Sequence, residues 1–154
     1  MNEPFIFRVR DCYYIRASYP SPAEHRHFAA HLVFAMERPF TALVDGKSVE
    51  TVGIAIGSDV PHTILSVDPA LVVFIDELTP MSRCVKHTLL QGASWRALDA
   101  SVSSRVGKRW GKVRTETDAA AAAAETERLL GLQAERAPAE DPRVLEAAAY
   151  MKSA

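Results

Sequence analysis

Four of the five histidines lie in two short stretches, His25, His27 and His31 in the first and His62 in the second. Imidazole is the commonest transition-metal ligand and titrates near neutral pH. In a β-strand, residues of equal parity share a face. Positions 25, 27 and 31 are all odd, so an unbroken strand aims three imidazoles the same way. His62 follows Pro61 and brings a fourth from another strand. Such a set suits a divalent transition metal, with Zn, Ni or Fe the leading candidates. The ligand is neutral imidazole, so binding would weaken below a pH of about 6.5. The same four side chains also suit a polar pocket that holds a small organic molecule without metal, and the residues leave both readings open.

Around the histidines stand other groups with ligand chemistry. Arg8, Arg10 and Arg16 come from the earliest apolar runs, and each could grip a carboxylate bidentately. Phe7, Tyr13, Tyr14 and Phe34 could supply apolar walls. Which parity faces inward on these first runs stays open. Cys12 and Cys84 form no disulfide framework, and neither has the basic surroundings that would activate a thiolate.

The elements that must position these residues divide the chain. Most of the nine prolines precede Gly92, and most of the alanines follow it. Proline punctuates short extended elements, whereas alanine is the best helix former. Residues 1–92 therefore read as β. The runs are Pro4–Val9, Tyr13–Ser18, Phe28–Met36, Phe40–Val44, Val52–Ile56, His62–Val67 and Leu71–Asp76. Asp45-Gly46 signals a hairpin, and Asp68-Pro69 reads as a break. About seven close-spaced strands suit a sandwich or barrel.

Beyond them, Thr79-Pro80 reads as an N-cap followed by the first helical residue. Ser94 is the expected cap of a helix with Trp95, Leu98, Val102 and Val106 on one stripe. Gly107 and Gly111 bracket an expected break. Thr115-Glu116-Thr117-Asp118 opens a helix through Leu132, with Leu129 and Leu130 apolar. Residues 134–142 read as a linker, and Arg143–Lys152 as a last helix.

With 154 residues and a net charge of -1, the chain is sized for one domain with an appendage. The charge balance argues against a dominant nucleic-acid-binding surface. No apolar run is long enough for a membrane span or a signal peptide, so a cytoplasmic protein without membrane association is expected.

His25-Arg26-His27, Leu32-Val33-Phe34-Ala35-Met36 and Val60-Pro61-His62 resemble the cupin-like sensor domain of AraC-type transcription regulators. Val72–Arg83, ending Asp76-Glu77-Leu78-Thr79-Pro80-Met81-Ser82-Arg83, is similar to that family's last strand and following helix start. Asp141–Met151 resembles the first helix of its helix-turn-helix domain. The resemblance implies a small cupin-like (jelly-roll) β-barrel over residues 1–92, an α-helical dimerisation segment over 93–133, and a linker with the first helix of a truncated DNA-binding domain over 134–154.

It further implies a non-enzymatic, effector-sensing homodimer that reaches DNA through a C-terminal domain absent from this chain. The effector site would comprise His25, His27, His31, His62, Phe34, Arg16 and Tyr14. The dimer contacts would be Trp95, Leu98, Val102, Val106, Leu129 and Leu130. The sequence departs from the family in two turns, Glu37-Arg38-Pro39 and Gly57-Ser58-Asp59. It also has His31 where metal-binding cupins carry a glutamate. The competing expectation is a free-standing metal-dependent cupin enzyme, a dioxygenase or isomerase holding metal on the four histidines.

Overall fold

A computed structural model describes residues 5–19 and 29–133. His25, His27, the expected linker and the expected last helix lie outside these residues.

Among the described residues, eight antiparallel strands form the β part. Strands β1 (Phe5–Val9) and β2 (Cys12–Tyr19) make a hairpin whose turn residue Arg10 has φ 55°. Strands β4 (Phe40–Val44) and β5 (Lys47–Thr51) make another. Its turn residues Asp45 and Gly46 have φ 49° and 79°, the two positive values that an Asp-Gly hairpin turn requires. Strand β3 (Ala29–Ala35), β6 (Gly53–Ile56) and the short β8 (Trp95–Ala97) extend the main sheet, in the order β1-β2-β7-β3-β6-β8.

Strand β7 (His62–Asp76) is one 15-residue strand where two were expected. Its first residues, His62–Leu65, pair with β4. It meets β2 from Ser66, with a register shift between Ala17 and Tyr19, and from Ala70 onward pairs with β2 on one side and β3 on the other. Pro69 has no N–H to donate, and it falls at the changeover between these partners, so it does not end the strand. Beside it, Asp68 is held by a bidentate ion pair from Arg38, at 2.7 and 2.9 Å.

The main sheet has an apolar core on each face. Cys12, Tyr14, Leu32, Phe34, Leu71, Val73 and Ile75 face the helices. Val33, Ala35, Ile54, Ile56, Ala70 and Val72 face the sheet of β4, β5 and the start of β7, where Phe40, Ala42, Val44 and Ile64 meet them. Leu71–Ile75 lacks hydrophobic alternation because both faces of that segment are covered. The described strands form two packed antiparallel layers; among the described residues they do not close into a barrel.

Helix α1 (Pro80–Cys84) starts as expected, with Thr79 Oγ1 accepting from the Ser82 N–H, and continues into a π-helical stretch, Val85–Leu90. The next element corrects the sequence reading. Residues Trp95–Ala97 are strand, paired with β6, and helix α2 (Ala100–Gly111) begins at the cap Asp99. The outer edge of β6 takes the ladder hydrogen bonds of Trp95–Ala97, which overrides their helical spacing. No break occurs at Gly107, which lies inside α2. A Cβ there would sit 1.9 Å from the Ala35 carbonyl oxygen, so its hydrogen lets the helix lie directly on β3. Helix α3 (Glu116–Leu130) starts at the cap Thr115 and ends at Gly131, which has φ 72°. Ala119, Ala122 and Ala123 are its buried face, small enough to bring it close to Trp110.

These helices cover their own sheet. Val106 and Leu130, expected at a dimer contact, are buried inside the chain. Leu98, Val102 and Leu129 pack partly against the helix-side core, and Trp95 against the other. Arg109 ties α2 to α3 through Asp118, at 2.7 Å, and Glu125, at 2.9 Å. No described helix is long and apolar enough to cross a membrane.

The close approach at Gly107 yields a test. In an open helix, Gly→Ala gains up to about 1 kcal/mol. Here the added methyl meets backbone, which no rotamer change relieves, and overpacking of this kind costs roughly 1–3 kcal/mol. Gly107→Ala should therefore lower the urea midpoint, with a net loss of about 1 kcal/mol. A raised midpoint would show that α2 does not lie on β3 as described.

Candidate functional site

The ladder register sets one row of side chains across the main sheet. Arg8 pairs with Tyr13, Tyr13 with Phe74, Phe74 with His31, and His31 with Ile56. Directly paired residues point to the same side. This row lies on the face turned away from the helices, the one that carries Val33 and Ile56.

His62 comes to the same place from the first residue of β7. It and His31 are each 2% exposed, and their rings lie 5.0 Å apart. The Phe74 ring meets His31 edge-on at 4.4 Å. The Nδ1 atom of His62 is 2.8 Å from the Val60 carbonyl oxygen. A carbonyl only accepts, so Nδ1 is the donating nitrogen of this contact. The Val-Pro-His segment thus orients this imidazole through its own backbone.

Outward from Phe74 the row opens into a cleft of about 310 Å³, lined by Arg8, Asp11, Tyr13, Ala29, Phe74 and Asp76. The Arg8 guanidinium carbon lies 5.7 Å from the centre of the Tyr13 ring, and its Nε donates to the Arg10 carbonyl at 3.2 Å. An Asp76 carboxylate oxygen accepts from the Leu78 N–H at 2.9 Å. The cleft therefore combines two aromatic surfaces, one guanidinium and two carboxylates, with two imidazoles buried behind Phe74. It can stack a small ring or apolar stem and hydrogen-bond its polar groups.

Three other expected site residues stand elsewhere. Tyr14, Arg16 and Phe34 point to the opposite face, beneath the helices. Alternation along β2 and β3 makes this unavoidable once Tyr13 and His31 face the cleft. Tyr14 stacks on Trp110 with centroids 4.5 Å apart. Phe34 is fully buried beside it in the same core. Arg16 lies over the Phe5 ring at 3.7 Å and donates to the carbonyls of Trp110, at 2.7 Å, and Val113, at 3.2 Å. It thus meets the Trp110 carbonyl in the last turn of α2, where the helix dipole favours a cation, and the Val113 carbonyl just beyond the helix. Burial pushes its pKa down to about 10, so it stays charged at neutral pH. Phe74, Asp11 and Asp76 had no signal in the sequence, since only the register of β7 brings them together.

The metal reading rests on the same two imidazoles. Catalytic zinc sites take three protein ligands. His31 and His62 offer two, and the described residues contain no group of three or more histidine, cysteine, aspartate or glutamate side chains arranged to hold an ion.

No protein-family profile matches the sequence, and no curated protein does. Solved structures with partial likeness include the protein NMB1881 from Neisseria meningitidis, at 16% identity over 48% of this chain and 84% of that one, TM-score 0.42. Another is an RmlC-like cupin from Shewanella frigidimarina NCIMB 400, at 13% identity over 47% and 84%, TM-score 0.36. A third is a mutant of salicylate 1,2-dioxygenase from Pseudoaminobacter salicylatoxidans, at 16% identity over 42% and 20%, TM-score 0.36. Each likeness involves less than half of this chain.

Both cysteines are buried on the helix side of the sheet, away from the cleft. Burial pushes the Cys12 thiol up to about 12, and the Cys84 thiol donates to the Gln133 carbonyl at 3.0 Å. A thiol-specific disulfide reagent at pH 8 should therefore leave both unmodified in the native protein and titrate both in denaturant. Rapid native labelling of Cys12 would contradict its placement under the helices.

Proposed function

We propose that this chain senses a small molecule in the cleft beside His31 and His62, as the effector-binding and dimerising part of an AraC-type transcription regulator. The observation that carries the reading is the convergence of His31, His62 and Phe74 behind a cleft walled by Tyr13 and Arg8. Two buried imidazoles supply hydrogen-bonding capacity that a plain apolar core does not need. The resemblance of the His-x-His, Val-Pro-His and Asp141–Met151 segments to that family supports the regulatory part. In this reading the effector favours one of two arrangements of sensor and DNA-binding domain, by its differential affinity for them. The dimer would use the outer surfaces of the helices after Thr79, since Val106 and Leu130 already serve the chain's own core.

A thermal-shift screen of small organic acids, amines and sugars is the first test. A true effector should bind at least about tenfold more weakly to Tyr13→Ala, the loss of one aromatic contact of about 1.4 kcal/mol. It should also bind more weakly to His62→Gln. In the full-length protein the same compound should change DNA affinity. Binding that neither substitution weakens would overturn the site.

One observation favours a second reading, a metal-dependent cupin enzyme: the rings of His31 and His62, side chains of the type that ligates transition metals, lie 5.0 Å apart. That reading requires near-stoichiometric Zn, Ni or Fe in protein purified without a histidine tag, and its loss in His62→Ala. Folded wild-type protein lacking all three metals, yet retaining effector binding, rejects the enzyme.

A further inference from the structure

The basic run Lys108–Arg114 is divided by the fold. Arg109 turns inward and is held by Asp118 and Glu125. Trp110 is buried, with its indole N–H donating to Thr126. Arg114 folds over the end of α2 and donates to the Gly111 and Val113 carbonyls, at 2.9 and 2.8 Å. Lys108 and Lys112 stay on the solvent side of the helix and its cap, where Arg105 joins them. Positions 105, 108 and 112 follow the i, i+3, i+7 spacing of one helix face. None of these three cations enters an ion pair among the described residues. Two acids of α3, Asp118 and Glu125, are engaged by Arg109.

We infer that the Arg105–Lys108–Lys112 stripe contacts the phosphate backbone of a nucleic-acid duplex. At 1.5 Å rise per residue the three positions span about 10 Å. One strand of a duplex presents a phosphate about every 3.4 Å along the axis, so the stripe faces a run of about three. Ser101 is the next residue on this face, which carries no large apolar side chain. It therefore lacks the anchors that seat an amphipathic helix in a membrane or form the centre of a protein interface. The chain's near-neutral total charge does not cancel the stripe, because charges beyond roughly 10 Å are screened at ordinary salt. Contacts of this kind position a protein on a duplex without reading its sequence. The inference stands independently of the cleft.

The test is fluorescence anisotropy of a short labelled duplex titrated with the 154-residue protein at several salt concentrations. Three phosphate contacts predict a log–log salt slope of about -3, which is about 40-fold weaker binding at 200 mM than at 50 mM salt. Arg105→Ala, Lys108→Ala and Lys112→Ala should each reduce the slope by about one, with unchanged melting temperature. Lys47→Ala, at the start of β5, should leave it unchanged. No binding at 50 mM salt, an unaltered slope in the triple variant, or tighter binding to anionic vesicles than to the duplex would each overturn the proposal.

Discussion

Strand β7 is the constraint on which the rest of the molecule depends. Its 15 residues serve two sheets, first as partner to β4 and then as the strand between β2 and β3. Side chains alternate along it, so Leu71, Val73 and Ile75 are committed to the helix side and Val72 and Phe74 to the other. A slip of one residue would exchange these sets and bring Phe74 under Trp110. The same strand supplies His62 at one end and the Phe74 neighbour of His31 near the other. The meeting of the two imidazoles is thus a consequence of strand length and register together.

Helix packing follows from the same register. The helix-facing side is smooth enough along β3 for α2 to lie on it through Gly107. That contact fixes where Trp110 falls, and Trp110 in turn receives Tyr14 and the small face of α3. Among the described residues, Arg16 is the one buried arginine or lysine in this layer. Its guanidinium is tolerated because the carbonyls at the end of α2 need donors as much as it needs acceptors.

Much of this architecture was legible in the sequence, for identifiable reasons. Phe40–Val44, the Asp45-Gly46 turn, and the caps Thr79 and Thr115 carry local signals that depend on the residue types themselves. What the sequence concealed was non-local. Trp95–Ala97 has helical spacing and becomes a strand because an edge of β6 needs a partner. Asp68-Pro69 has turn chemistry and lies within a strand because its neighbours change there. Gly107 looked like a helix breaker and is a point of contact. For the candidate site, His31 and His62 could be singled out by type and spacing. The facing of Tyr14, Arg16 and Phe34 could not, because inward parity on β2 is fixed only by which layer covers it.

Strand β2 presents Tyr13 to the cleft and, on the very next residue, Tyr14 to the indole of α2. The two side chains leave opposite sides of one peptide unit, and planar amide geometry joins them without slack. Two residues further on, Arg16 grips the terminal carbonyls of that helix. The cleft and the helix carrying Lys108 are therefore attached to the same few residues of β2.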